Sequence, residues 1–157
     1  SDDLIMAKDV YNEKYSIGNK IAIIGGGLVG CELALYLVIN NKKVVILEEQ
    51  SEILNDKNIP YMNKMMLLDL LEAHKVDIIS NAKVHSIANK VLKYITNGME
   101  TKLDIDNVVC AVGYNSNDKL YKRLMLKEKD IYVLGDAKQV QNIMYSIWDA
   151  YELANNL

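Results

Sequence analysis

The segment from Lys20 to Gln50, KIAIIGGGLVGCELALYLVINNKKVVILEEQ, constrains the fold of this chain more than any other stretch. Lys20 to Ile24 is a short apolar run ending in three glycines, which suits a buried parallel strand. Leu28 to Ile39 is apolar on nearly every face, as a helix packed on a sheet must be. Asn40-Asn41 supplies its stop. Lys43 to Leu47 is a second β-branched run, so residues 20 to 47 predict a strand, helix, strand unit with parallel strands and a right-handed crossover.

The glycines Gly25-Gly26-Gly27 are then either a flexible corner or a cradle for a ligand. A GxGxxG pattern alone is weak, since glycines are common wherever a strand turns into a helix. Here Gly25-Gly26-Gly27-Leu28-Val29-Gly30 follows a strand, opens a helix, and precedes a strand ending at Glu48, 18 positions after Gly30. That context is the dinucleotide-binding fingerprint, whose acidic residue stands about 20 positions on. Gly25 permits the tight turn, Gly27 lets the backbone approach a pyrophosphate, and Gly30 lets the helix pack close to the strand. The amides opening the Leu28 helix would face the phosphates, and Glu48 would accept from the adenosine ribose hydroxyls. Glu48-Glu49-Gln50 offers carboxylates where an extra 2′-phosphate would need a cation, which favours NADH over NADPH.

Composition narrows the remaining possibilities. The 157 residues make one domain of ordinary size, half apolar and a quarter charged. A net charge of −3 and pI near 5.4 give no footprint for nucleic acid. Cys31 and Cys110 form no CxxC, and His74 and His85 lie in separate elements, so no metal-ligand spacing exists. Both thiols sit in apolar runs and are expected to be small buried side chains in a reducing cytoplasm. No apolar run reaches the ~18 residues that span a bilayer, and Ser1-Asp2-Asp3 does not open a signal peptide. A soluble protein cut from a longer chain is expected.

Beyond Pro60, Tyr61 to His74 carries Met62, Met65, Met66, Leu70 and Ala73 at helical spacing, a stripe expected to pack in the core. From Val76 to Ile105 the period changes. Val76 to Ile79, Lys83 to Ile87, Val91 to Ile95 and Thr101 to Ile105 predict an antiparallel meander over the parallel sheet, with a two-residue hairpin at Asn97-Gly98. His85 is expected at its surface or half-buried. Asn107 to Val112 is another buried strand closed by Gly113; Ile131 to Leu134 is a strand ended by Gly135-Asp136; Val140 to Leu157 is an amphipathic helix.

IAIIGGGLVGCELALYLVINNKKVVILEE, VVCAVGYNSNDKL and IYVLGDAKQVQNIMYSIWDAYELANNL, in that order, resemble the C-terminal portion of the NADH:flavin oxidoreductases related to old yellow enzyme. The nearest in pattern are the 2,4-dienoyl-CoA reductase, 2-enoate reductase and trimethylamine dehydrogenase group, within the two-dinucleotide-binding flavoproteins. The resemblance implies an α/β fold. It consists of a Rossmann-like three-layer NAD(P)-binding domain, a parallel sheet plus an antiparallel β-meander, with a C-terminal strand and helix left from a split FAD domain. Residues 1–18 would be linker from the missing FAD-domain half, 19–114 the NADH-binding domain, and 115–157 the connection and FAD-domain remnant. Ala111-Val112-Gly113 resembles the turn that closes the NADH domain, and Gly135-Asp136 the second flavin motif. Glu32 would face the nicotinamide and flavin side, although a helix dipole alone also favours an acid in a first turn. Trp148 and Asp149 resemble the terminal helix motif near the flavin, while amphipathicity alone would put the tryptophan in the core.

The family's first flavin GxGxxG, its barrel for FMN and its iron–sulfur cysteine cluster are absent from these residues. The expected function is therefore that of an NADH-binding domain of a multidomain flavin-dependent oxidoreductase, positioning NADH for hydride transfer to a flavin. FAD, FMN and an iron–sulfur cluster would belong to the parent, no residue here need act as acid or base, and this chain alone would bind NADH without turnover. Its partners would be NAD(H) and the flavin-binding and barrel domains of the same polypeptide, with self-association through the exposed remnant, and neither nucleic acid nor membrane. Two alternatives stand beside this: a non-catalytic module sensing NADH or ADP, and a disulfide reductase fragment, the latter disfavoured by the missing redox cysteine pair.

Overall fold

The structure, a computed structural model, describes residues 4–12, 15–127 and 130–157. It divides into two compact units, Ser1–Gly113 and Tyr114–Leu157, each considered by itself.

The first unit is built on a five-stranded parallel sheet. Its strands are β1 (Leu4–Met6), β2 (Lys20–Ile24), β3 (Lys43–Leu47), β4 (Asp77–Ile79) and β8 (Asn107–Cys110), in the order β1-β8-β2-β3-β4. Helices α1 (Ala7–Tyr11), α2 (Leu28–Ile39) and α3 (Tyr61–Ala73) connect them. Strands β5 (Lys83–Ala88), β6 (Val91–Thr96) and β7 (Met99–Asp104) form a separate antiparallel meander. Because successive strand residues point to opposite faces, Ile21 and Ile23 of β2 join Leu33, Leu37 and Leu71 in the helical layer. Ala22 between them joins Leu92, Tyr94 and Ile105 beneath the meander. Three layers result, as the resemblance implies.

Local chemistry sets the boundaries. Asn40 caps α2, and Asn41 turns the chain with a φ of 61°, a left-handed conformation that asparagine tolerates. Asn97 and Gly98 have φ values of 51° and 75°, the two positive angles that a type I′ hairpin requires.

Three expectations need correction in this unit. Asp77–Ile79 belongs to the parallel sheet, paired with Val45–Leu47 of β3, and not to the meander. Three residues are too few to display a period, and α3 is the crossover that returns the chain to the sheet edge. The methionine stripe is not core: Met62 and Met66 are 73% and 60% exposed, and the buried line of α3 is Leu67 and Leu71. That pair, four residues apart, meets the helical-layer core, and the methionines lie off its axis. Cys31 is buried as expected, but Cys110 is only half-buried. The stretch 1–18 contains β1, which pairs in parallel with β8, and α1, whose Ala7 and Val10 reach the core.

The second unit holds α4 (Lys119–Leu124), a 3-10 turn at Gly135–Ala137 and α5 (Ile143–Asn155). Ile131 to Leu134 is not a strand: an apolar run becomes one only against a partner backbone, and among the described residues none pairs with it. The final helix starts after Asn142, whose Oδ1 accepts the Tyr145 N–H at 3.2 Å, rather than at Val140. No residue of α5 is buried, and Trp148, 54% exposed, meets Tyr145 edge to face instead of entering a core. Among the described residues no helix is long and apolar enough to cross a membrane.

Candidate dinucleotide site

The glycine turn sits where β2, β3 and β8 end together. Ala111 N–H donates to Ile24 O at 2.8 Å and Gly25 N–H to Leu47 O at 2.9 Å, so the turn is tied to both neighbouring strands. Gly25 has a φ of +104°, and a Cβ there would lie 2.6 Å from the Ala111 carbonyl oxygen. Only glycine fits such a corner. A Cβ on Gly30 would run into the Gly25 carbonyl oxygen, with the Ala111 Cβ 3.4 Å away, so α2 rests directly on the turn. Gly27, the N-cap of α2, is different: a Cβ there would meet nothing within 4 Å. Leu28 is half-buried and Val29 is 41% exposed; among the described residues no protein acceptor takes either N–H. These are donors of a helix N-terminus, aimed where an anion is favoured.

Gly26 ties the turn to the acidic residue. Its N–H donates to Glu48 Oε2 at 2.6 Å, while Gln50 N–H donates to Glu48 Oε1 at 2.8 Å. Both carboxylate oxygens are thus oriented by backbone, and each keeps a further lone pair for a hydroxyl donor. The Gly26 carbonyl accepts Leu54 N–H at 2.8 Å and the Cys31 thiol at 3.4 Å. Burial, with the Glu48 and Glu32 carboxylates adding to it, pushes the Cys31 thiol up to about 12. It is a structural donor with no thiolate at neutral pH.

Glu49, expected to stand as a second free carboxylate, forms an ion pair with Lys83 Nζ at 3.0 Å. Glu32 is exposed on α2, and its charge bears on Tyr11, whose hydroxyl is raised first by burial, then by Glu32 and Tyr36. The Tyr11 and Tyr36 rings meet at a tilt of 47°, their centroids 5.5 Å apart. In the turn after β8, Ala111 underlies the glycines, Val112 is 68% exposed, and Gly113 has a φ of +92°. Gly135, at a φ of +57°, and Asp136, whose Oδ1 accepts Gln141 N–H at 3.4 Å, belong to the second unit. Asp149, noted beside Trp148, pairs with Lys138 at 2.9 Å in that unit.

Sequence reasoning missed three contributors. Ile53 occupies the space where a Gly26 side chain would go, Leu54 clasps the Gly26 carbonyl, and Lys83 pairs with Glu49. No spacing in the sequence signals any of them, since each reaches the site from a loop or from another sheet. The residues present fit a dinucleotide: an open approach at Gly27, unpaired helix donors and a pre-oriented carboxylate.

Residues 2–150 match the family described as pyridine nucleotide-disulphide oxidoreductase. Among curated relatives, cinnamate reductase of Clostridium sporogenes is 39% identical over 158 residues, covering 100% of this chain and 24% of its own length. An NADH oxidase of Thermoanaerobacter brockii is 31% identical over 160 residues, covering 96% of this chain and 24% of its own. The chain thus spans about a quarter of the length of these relatives. Among solved structures, a 2-naphthoyl-CoA reductase superposes with a TM-score of 0.89 at 23% identity, over 100% of this chain and 24% of that one.

Proposed function

The chain belongs to the pyridine nucleotide-disulphide oxidoreductase family, and on that footing we propose that it is the NADH-binding part of a larger flavin-dependent oxidoreductase. The observation that carries the reading is the pairing of an open Gly27 with a Glu48 carboxylate already held by Gly26 N–H. Gly25 to Gly30 and the Leu28 and Val29 amides would hold the pyrophosphate, Glu48 the adenosine ribose, and Ala111 to Gly113 the approach to the nicotinamide. Bound NADH supplies a hydride, and the residues of this chain bind and orient it. FAD and FMN would be held elsewhere in the polypeptide, and the exposed face of α5 is where its flavin-binding parts would dock, self-association being the other occupant. Thiol exchange by Cys31 lies outside the proposal, because that thiol is buried and pushed up to about 12.

Calorimetric titration of the purified protein with NADH and with NADPH tests the binding. NADH should bind more tightly, and absence of NADH binding overturns the proposal. Anaerobic addition of NADH to the whole flavoprotein tests the transfer: bleaching of the flavin is expected, whereas binding without bleaching would favour the sensing module.

A further inference from the structure

The ion pair between Glu49 and Lys83 joins the two residues that directly follow Glu48 and Ala82, and Glu48 and Ala82 are themselves tied through backbone. Ala82 N–H donates to Glu48 O at 2.8 Å and Asn81 N–H to Gln50 O at 2.9 Å, so the segment entering β5 is stitched along residues 48 to 50. Ala82 is 3% exposed, which anchors the strand that presents Lys83. The ammonium and the Glu49 carboxylate, both well exposed, meet at 3.0 Å.

We propose that Glu49 sets the preference for NADH over NADPH chiefly by neutralising Lys83, so that this chain carries a latent 2′-phosphate anchor kept out of use by one carboxylate. The inference rests on the nucleotide-binding reading above and adds to it a residue and a cause. Repulsion by two free carboxylates is not what the structure presents, because Glu49 already has a cation. A phosphate arriving next to Glu48 would have to compete with Glu49 for that ammonium, and an exposed pair of opposite charges attracts an anion far less than a lone lysine does.

The test uses Glu49→Gln, Lys83→Ala and the double variant in the purified protein, each titrated with NADH and NADPH at low salt. Exposed ion pairs contribute little to stability, so all three should fold, and melting curves check this. Glu49→Gln should gain roughly tenfold in NADPH affinity, the scale of one charge-assisted hydrogen bond to phosphate, with NADH affinity unchanged. The double variant should lose that gain, and high salt should erode it. Unchanged NADPH affinity in a Glu49→Gln protein that still binds NADH would overturn the inference and leave the nucleotide reading standing. A gain that persists without Lys83 would equally overturn it, by assigning the preference to Glu49 repulsion alone. An unsubstituted protein that binds neither nucleotide would overturn both.

Discussion

At position 27 the glycine hydrogen faces open space, whereas at position 30 it faces the Gly25 carbonyl. The two glycines of one motif therefore answer to different demands, and substitution should separate them. Gly27→Val should fold, losing roughly 1 kcal/mol or less at the helix cap, yet lose NADH binding because its side chain enters the approach to the pyrophosphate. Gly30→Ala should destabilise by roughly 1–3 kcal/mol through overpacking. Melting curves and titrations on both variants check the contrast, and undiminished NADH binding in a folded Gly27→Val protein would return the turn to a structural corner. Cys31 yields a second prediction at this scale. Its folded-state thiol stands at about 12 against an ordinary 9.0, so its contribution to stability is complete below pH 9 and is lost as pH rises toward 12. At pH 8 a thiol reagent should leave Cys31 unmodified until the protein unfolds, as peptide mass mapping would show. Gly25, Gly30 and Glu48 were legible in the sequence because one local motif specifies all three. Lys83 and Ile53 were not, since their places depend on where distant segments lie.

Among the elements, β2, α2 and β3 were read to the residue because glycines, asparagines and β-branched runs mark their ends chemically. The faces of α3 were not, since methionine and leucine are equally apolar and only the position of α2 decides which row is covered. Met66→Gln should accordingly be nearly neutral, while Leu67→Ala should cost roughly 2–5 kcal/mol. Denaturant unfolding of the two variants measures this, and comparable losses would restore the methionine row to the core. The sheet to which strand β4 belongs is not legible in the sequence for a related reason. Its membership depends on the partner, β3, and three residues carry no pattern of their own. The run Ile131 to Leu134 shows the converse, an apolar sequence with no neighbouring strand among the described residues.

Over the whole molecule, the proposed nucleotide contacts fall in the first unit and Gly135-Asp136 in the second. A dinucleotide needs a glycine-rich turn at a helix N-terminus, and the second unit offers Asp136 alone, worth one or two hydrogen bonds of roughly 0.5–1.5 kcal/mol each. The isolated chain should therefore be colourless after purification, and stoichiometric flavin in its visible spectrum would refute the assignment of the flavin site to other parts of the polypeptide. The strand order has a further effect, on the time course of folding. Strand β8 lies between β1 and β2, so the pairings Leu4↔Val108 and Ala22↔Val108 both wait for a residue made about a hundred positions after the first strand. Until then β2 can pair only with β3, and its other edge stays open, a template for another nascent chain. Arrival of Asn107–Cys110 closes that edge and recruits Leu4–Met6 in one step, which makes the strand beneath the glycine turn the latch of the growing polypeptide.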